Sequence, residues 1–182
     1  MNSSALAARF VSGPHITAAS NAEARLGEWL AELEPEQSAV IGAWLDRPFA
    51  RAILLGIVEF SPYLFDLIRA DAGRLGRLLA CDPEQHLASL IEKTSGDVLA
   101  AAAEADVMHL LRRMKSEAAL LIALCDIGGV WPVMRVTAAL TDLATVSVQT
   151  ALRFLLRQEV ARGRMTAAND DMPEEGSGLI VL

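Results

Sequence analysis

The residues of this chain that could do chemistry are few and far apart. The three histidines, His15, His86 and His109, are widely separated along the sequence. Asp106 lies three positions before His109, a helical spacing that would put two metal ligands on one face. Two ligands do not complete a zinc or iron site, and no second cluster nearby supplies the others. The pattern therefore favours a capping Asp and a surface or packed His over a metal centre.

A second candidate is the basic turn Arg-Arg-Met-Lys at 112–115. It could neutralise a phosphate or pair with an acidic partner, because the guanidinium fork matches both anions. Arg is also favoured at interfaces, which keeps an interdomain or partner contact open. The simpler interpretation is a solvated helix face, stabilised by an ion pair such as Arg113 with Glu117, four positions later.

Two features near the end of the chain imitate functional motifs. Asp170 and Asp171 form an acidic pair, but they lie in a polar stretch with no strand beneath it, which favours a solvated linker. Gly176-Ser177-Gly178 precedes an apolar run, whereas phosphate-binding loops follow a strand. The sequence therefore predicts an ordinary loop at 176–178.

Aromatic and thiol side chains are predicted to pack rather than to react. Phe60, Tyr63 and Phe65 cluster within six positions, and core packing is the default for such a group. Cys81 and Cys125 lie in apolar helical contexts, which favours buried free thiols over a disulfide or a redox site. No Ser/His/Asp or Cys/His arrangement is readable, so the residues alone predict no catalytic, cofactor-binding or metal-binding site.

Composition narrows the class of protein. The chain has 182 residues, 53% of them hydrophobic, with a mean hydropathy of +0.33, and its longest apolar stretch is 118–125. That stretch is far below the ~20 residues that span a bilayer, so we expect a cytoplasmic protein without a membrane segment. The net charge is −7, and no basic stripe alternates with aromatic residues, which argues against nucleic-acid binding.

Helical periodicity and helix start signals cover most of the chain. Proline after a break opens several segments, at Pro35, Pro48, Pro62 and Pro83. The predicted helices are 16–33, 35–46, 49–60, one from 62, 74–79, one from 83 that ends at Ser95-Gly96, an alanine-rich one capped by Asp97, 107–127, 132–142 and 145–161.

The predicted organisation is a flexible N-terminus at 1–18, a helical domain at 19–163, a linker at 164–178 and a strand at 179–182. The run Leu179-Ile-Val-Leu182 is continuously apolar, as in a strand buried on both faces. Such a strand needs neighbours for its backbone, and nothing upstream resembles one. We therefore expect the front part of a longer protein, cut where an α/β core begins; the alternative is an apolar tail.

Four segments together resemble one family, the bacterial bifunctional glutamine-synthetase adenylyltransferases, which are also adenylyl-removing enzymes. Residues 60–68 are similar to its S-P-[FY]-L-x-x-L helix start. Residues 110–131 are similar to its L-R-R-x-K…A-L-L-I-A-x-x-D-[IL]-x-G-x-W helix, and 136–144 to the V-T-x-x-L-[ST]-x-[LF]-A element after it. Residues 178–182 resemble the strand that opens its nucleotidyltransferase core. The resemblance covers 19–182.

The resemblance implies a mainly α fold, an irregular multi-helix bundle that ends in the first strand of a truncated nucleotidyltransferase α/β core. In the family that strand leads into a G-x-G-K-x-G loop and then an S-S-D-x-D carboxylate pair that holds metal ions. Both motifs would follow Leu182, so the resemblance places no catalytic, cofactor or metal residue in this chain. This fragment itself is therefore expected to be non-catalytic.

The resemblance also implies cofactors and partners for the whole enzyme. The family uses ATP and Mg²⁺ to add AMP to a tyrosine of glutamine synthetase, and phosphate to remove it, and so regulates nitrogen assimilation. Glutamine synthetase and the PII signalling protein are the implied partners. The alternative function is a free-standing helical protein-interaction module without catalysis.

Overall fold

The computed structural model describes residues 4–16 and 19–179, and within these ranges the chain consists of helices and turns with no strand. This confirms the mainly α class. The elements in these ranges are a short 3₁₀ helix Leu6–Ala8, then α1 Ala19–Glu32, α2 Pro35–Leu45, α3 Pro48–Phe60, α4 Pro62–Ala70, α5 Ala72–Ala80, α6 Pro83–Ala100, α7 Glu104–Ile127 and α8 Val133–Ala161.

The helix starts follow from caps and prolines, as predicted. Proline occupies the first turn of α2, α3 and α4, where its missing N–H costs no hydrogen bond. The side chains of Ser61, Asp71 and Asp82 each accept a hydrogen bond from the backbone N–H three residues later, at 3.4, 2.9 and 3.1 Å. Short breaks with strong start signals therefore set the positions of α2 to α6.

Two predicted helix ends are wrong. α6 continues through Ser95-Gly96 to Ala100, and α8 is one helix over 133–161 where two were predicted. A glycine inside a helix costs only about 1 kcal/mol, which neighbouring packing offsets. Val98 is fully buried just beyond the glycine, and Leu143 is buried at the predicted break in α8. Burial of these side chains keeps both helices continuous.

The predicted end of the long helix α7 is confirmed. Gly129 has φ of +66°, the left-handed conformation that glycine adopts without strain. The N–H of Val130 then donates to the carbonyl of Cys125 at 2.8 Å. This turn satisfies a terminal carbonyl of α7 and places Trp131 directly after the helix.

The helices are organised into two compact units, each built from two separate stretches of the chain. Unit 1 comprises Met1–Ala88 and Ser116–Leu140, and unit 2 comprises Ser89–Lys115 and Thr141–Leu182. The predicted domain boundaries at 18, 163 and 178 stay predictions. In unit 1, α1 packs against α3 and α2 against α5.

Each unit has its own buried side chains. The large residues of unit 1 that are almost fully buried are Leu6, Ile41, Ile53, Leu54, Ile57, Ile68, Leu75, Leu78, Leu79, Leu120 and Leu121. In unit 2, a smaller cluster joins Val98, Val107 and Phe154, with Leu110 and Leu111 packed against it. Unit 1 therefore holds most of the large buried side chains.

The terminal strand predicted at 179–182 falls mostly outside the described residues. Leu179, its first residue, is 56% exposed and not in a strand, and 180–182 are not described. Among the described residues, no helix has the length and apolar character needed to cross a membrane.

Candidate functional site: a polar clamp at the start of α6

Glu84, in the first turn of α6, is the centre of a polar group of unit 1 whose members are far apart in the sequence. Arg9 donates to both of its carboxylate oxygens, Nη1 to Oε2 at 2.5 Å and Nη2 to Oε1 at 2.8 Å. The indole Nε1 of Trp131 donates to Oε1 at 2.7 Å. These three residues, here called the Glu84 clamp, join the N-terminal segment, the start of α6 and the turn after α7.

Electrostatics favour the charged state of the clamp. The hydrogen bonds from Arg9, followed by that from Trp131, lower the pKa of Glu84 from its usual 4.5 to about 2. Glu84 likewise raises the pKa of Arg9. The Glu84 carboxylate is therefore ionised at neutral pH and accepts hydrogen bonds from both Arg9 and Trp131. It thereby connects the N-terminal segment and the turn after α7 to the start of α6.

A second polar group lies between α5, α6 and α7. His86 Nε2 lies 2.7 Å from Glu117 Oε1, and Arg77 Nη2 lies 3.9 Å from the other Glu117 oxygen. Arg77 also donates to Asp71 at 3.2 Å. The hydrogen bond with His86 is the main cause that lowers the pKa of Glu117. The structure thus points Glu117 at His86 rather than at Arg113, the partner predicted from helical spacing.

The N-terminal segment reaches the clamp through close backbone contacts. The N–H of Leu6 donates to the carbonyl of Cys81 at 2.7 Å, and that of Val11 to the carbonyl of Gly128 at 2.9 Å. A Cβ on Gly128 would lie 2.3 Å from Cδ1 of Phe10, so only glycine fits there. The segment predicted as flexible, 1–18, therefore includes residues that are buried and bonded to unit 1; its boundary stays a prediction.

A cation–aromatic group ties α1 to α4 in the same unit. The guanidinium carbons of Arg25 and Arg69 lie 5.6 and 5.8 Å from the ring centroid of Phe65, and the ring of Trp29 meets it edge-on at 6.1 Å. Arg25 also donates to the carbonyl of Val58 at 2.8 Å. Both arginines are used for packing within unit 1.

The structure separates the aromatic residues predicted to pack together. Phe65 is buried, as predicted, but Phe60 and Tyr63 are 57% and 53% exposed, so core packing is wrong for these two. Phe60 is the last residue of α3 and Tyr63 lies in the first turn of α4. Helix termini turn away from the core here, which the clustering in sequence did not reveal.

The residues considered as metal ligands, and judged from the sequence to be capping or surface residues, lie apart from any cluster. Asp106 and His109 are both exposed on α7, and His15 is exposed as well. Within residues 4–16 and 19–179, no group of three His, Cys, Asp or Glu side chains could hold a metal ion.

The two cysteines are free, as predicted. Cys125 is buried, and burial raises the pKa of its thiol. Burial likewise raises the pKa of the Cys81 thiol to about 11. Both thiols are therefore protonated and weakly nucleophilic at neutral pH.

Part of the predicted linker lies against α8 within unit 2. Glu174 accepts a hydrogen bond from Nε of Arg153 at 2.7 Å, and Arg157 donates to the carbonyl of Asp171 at 2.8 Å. Pro173 between them is buried, while the Asp171 side chain is 95% exposed. Residues 176–178 form turns and a loop, as predicted.

Comparison with known proteins identifies the family. The family model described as glutamate-ammonia ligase adenylyltransferase matches residues 52–182. The chain belongs to this family. No solved structure matches it.

Several curated relatives of the adenylyltransferase family cover nearly the whole chain. Each is a bifunctional glutamine synthetase adenylyltransferase/adenylyl-removing enzyme. The relative from Bradyrhizobium diazoefficiens is 67% identical over 97% of the chain, that from Rhodopseudomonas palustris strain BisB5 57% over 98%, and that from Xanthobacter autotrophicus 44% over 93%. The chain spans only 17–18% of the length of these relatives.

The family resemblance predicted from the sequence is confirmed, and the structure shows where its segments lie. The 60–68 segment covers the last residue of α3 and most of α4, and 110–131 covers most of α7 with the turn after it. Two polar residues of that second segment, Glu117 and Trp131, contact α6 through His86 and Glu84. The adenylyltransferase-like motif therefore supplies the contacts that fix the start of α6.

Sequence reasoning missed the Glu84 clamp because Arg9 and Glu84 are 75 positions apart. A partial signal existed: a buried tryptophan usually finds an acceptor for its indole N–H. The structure buries Trp131, which is 5% exposed. The sequence could suggest that a tryptophan there needs an acceptor, but residue spacing could not identify Glu84 as that acceptor.

Proposed function

We propose that this chain is a helical scaffold within an enzyme that adds AMP to glutamine synthetase and removes it. Membership of the adenylyltransferase family supports this, as do the names of relatives up to 67% identical. The share of those relatives that the chain spans, 18%, supports a role as one part of a larger protein. The fragment by itself carries no catalysis in this proposal.

One observation supports the scaffold role most directly. The carboxylates of Glu84 and Glu117, which could otherwise bind metal ions, are each held by cationic or N–H groups of the chain itself. Nucleotidyl transfer with two metals needs carboxylates free to bind them. In this chain those groups connect helices, so the family motif on α7 serves architecture.

The remaining parts of the proposal concern the whole enzyme. Residues 179–182 would begin the first strand of a nucleotidyltransferase core, and the loop and carboxylate pair that act on AMP would belong to that core. ATP and Mg²⁺ would serve adenylylation and phosphate would serve deadenylylation. PII would be a regulatory partner, and the enzyme would work in the cytoplasm.

A chimera tests the scaffold role. The chain replaces the matching segment of the Bradyrhizobium diazoefficiens relative, and both AMP transfer to glutamine synthetase and AMP removal are measured. We expect the chimera to retain both activities, because the segments are 67% identical. A chimera carrying Trp131→Ala should lose activity together with thermal stability. A folded chimera without either activity would contradict the proposal.

The isolated chain provides the complementary test. It is incubated with glutamine synthetase, ATP and Mg²⁺, and separately with adenylylated glutamine synthetase, phosphate and Mg²⁺. We expect no transfer and no removal of AMP. Turnover in a preparation free of host enzyme would show that the chain has an active site of its own.

A further inference from the structure

The arginines of this chain fall into three groups according to their contacts. Most form ion pairs with carboxylates of the chain, namely Arg9, Arg51, Arg74, Arg77, Arg153, Arg157, Arg162 and Arg164. Four others lie over aromatic rings, namely Arg25, Arg47, Arg69 and Arg135. Among the described residues, only Arg112 and Arg113 have neither kind of contact, and they are adjacent.

Helix geometry gathers further residues around these two arginines. At 100° per residue, Met108, His109 and Lys115 lie on the same side of α7 as Arg112 and Arg113. All five are exposed, and the opposite side carries Met114, which is 1% exposed. We call these five residues the basic face of α7; it lies within unit 2.

Three residues of the basic face, Met108, Arg112 and Arg113, are of types enriched at protein interfaces, whereas Lys115 is of a type depleted there. Arg and Met are enriched at protein–protein contacts, where Arg forms bidentate pairs and Met supplies adaptable apolar contact. Met108 is 43% exposed and lies one turn before Arg112. An exposed apolar side chain flanked by unpaired cations fits a partner that offers carboxylates around an apolar spot.

Charge decides the class of partner. The net charge of the chain is −7, so a cluster of cations without ion-pair partners makes this face locally positive on a negatively charged chain. Acidic residues on the same helix, Glu104 and Asp106, lie in the first turn, where they complement the helix dipole. The face carries no Phe, Tyr or Trp side chain on which the bases of a single-stranded nucleic acid could stack, which favours a protein partner.

We propose that the basic face of α7 is a docking surface for a carboxylate-rich patch on the protein substrate, glutamine synthetase. This inference rests on the proposed function, from which it takes the identity of the partner. Arg112, Arg113 and Lys115 pair with Asp and Glu side chains of the partner, and Met108 fills an apolar spot between them. Contact with carboxylates makes binding independent of the AMP group.

Calorimetry of the whole chain with glutamine synthetase, adenylylated and not, tests the docking surface. The double variant Arg112→Glu/Arg113→Glu should bind at least about tenfold more weakly than the unaltered chain, because two attractive contacts become repulsive. The matched control is Arg162→Glu/Arg164→Glu, which makes the same charge change on exposed arginines that pair with Glu159. It should bind within about twofold of the unaltered chain.

Two further binding measurements separate the contribution of the charged side chains from that of the apolar side chain. Met108→Ala should weaken binding by a few-fold without changing its salt dependence. Raising the salt concentration should weaken binding of the unaltered chain and should have less effect on Arg112→Glu/Arg113→Glu, because salt screens exposed charge pairs.

Several results would overturn the docking surface. These are equal affinities for the two double variants, no saturable binding by the unaltered chain, binding that requires the AMP group, or tighter binding to a DNA duplex. None of these results decides the scaffold role, because the chimera tests that role separately through its two activities. Circular dichroism of each variant should match the unaltered chain, since the altered side chains are exposed.

Discussion

Arginine is used differently in the Glu84 clamp of unit 1 and on the basic face of α7 in unit 2. Arg9 lies with both terminal nitrogens on Glu84, and Trp131 shares the same carboxylate. Arg112 and Arg113 are exposed and have no partner among the described residues. An arginine therefore stabilises the fold when the packed helices bring a carboxylate from elsewhere in the chain into contact with it. An arginine without such a contact is available to bind another molecule.

The largest expected effect concerns the indole of the clamp. Trp131→Ala should lower the free energy of unfolding by about 3–5 kcal/mol, because it empties a buried site and removes a donor to Glu84. Trp131→Phe keeps an aromatic ring but loses the N–H and part of the indole, so it should cost less, about 1–3 kcal/mol. Urea unfolding followed by circular dichroism measures both. Equal losses would show that the hydrogen bond matters more than packing.

Replacing one glycine in each unit by alanine compares a closely packed position with an open one. Gly128→Ala should destabilise by about 1–3 kcal/mol, because the new methyl group would collide with Phe10 and with the carbonyl of Leu124. Gly96→Ala, within α6 and with open space around it, should stabilise by about 0.5–1 kcal/mol. Thermal unfolding reports both changes. Destabilisation by Gly96→Ala would argue that α6 is interrupted there, as the sequence alone predicted.

The pH dependence of stability isolates the carboxylate of the clamp. Because folding lowers the pKa of Glu84 from 4.5 to about 2, its contribution is complete above pH ~4.5 and is lost as the pH falls towards 2. The side chain is 43% exposed, so solvent screening limits this contribution to about 1 kcal/mol.

Glu84→Gln provides the control for that titration, because glutamine has no charge to lose. The difference in unfolding free energy between the unaltered chain and Glu84→Gln should shrink between pH ~5 and pH ~2. A difference that stays constant over this range would show that the clamp does not depend on ionised Glu84.

Local signals predicted much of the fold. Pro35, Pro48 and Pro62 open helices where expected, and Ser61 caps one of them. Signals of this kind involve residues a few positions apart, so one sequence contains them in full. The break predicted at Gly96 was wrong because the burial of Val98, a tertiary effect, outweighs the weak helix propensity of glycine.

The candidate site was harder to predict than the helices. The basic turn at 112–115 could be recognised because its residues are contiguous, and the structure shows its charged members exposed. The Glu84 clamp could not, because it joins Arg9, Glu84 and Trp131 across 75 and 47 positions. Pairs so distant form only when the helices have packed, and no spacing rule in a single sequence specifies them.

The most direct test compares the two regions in one measurement, the free energy of unfolding in urea. Arg9→Ala should lower it by about 1–2 kcal/mol, because Glu84 loses two charge-assisted hydrogen bonds. The double variant Arg112→Ala/Arg113→Ala should leave it within about 0.5 kcal/mol of the unaltered chain, as expected for exposed side chains without partners. A larger loss for the double variant than for Arg9→Ala would contradict the division between structural and available arginines.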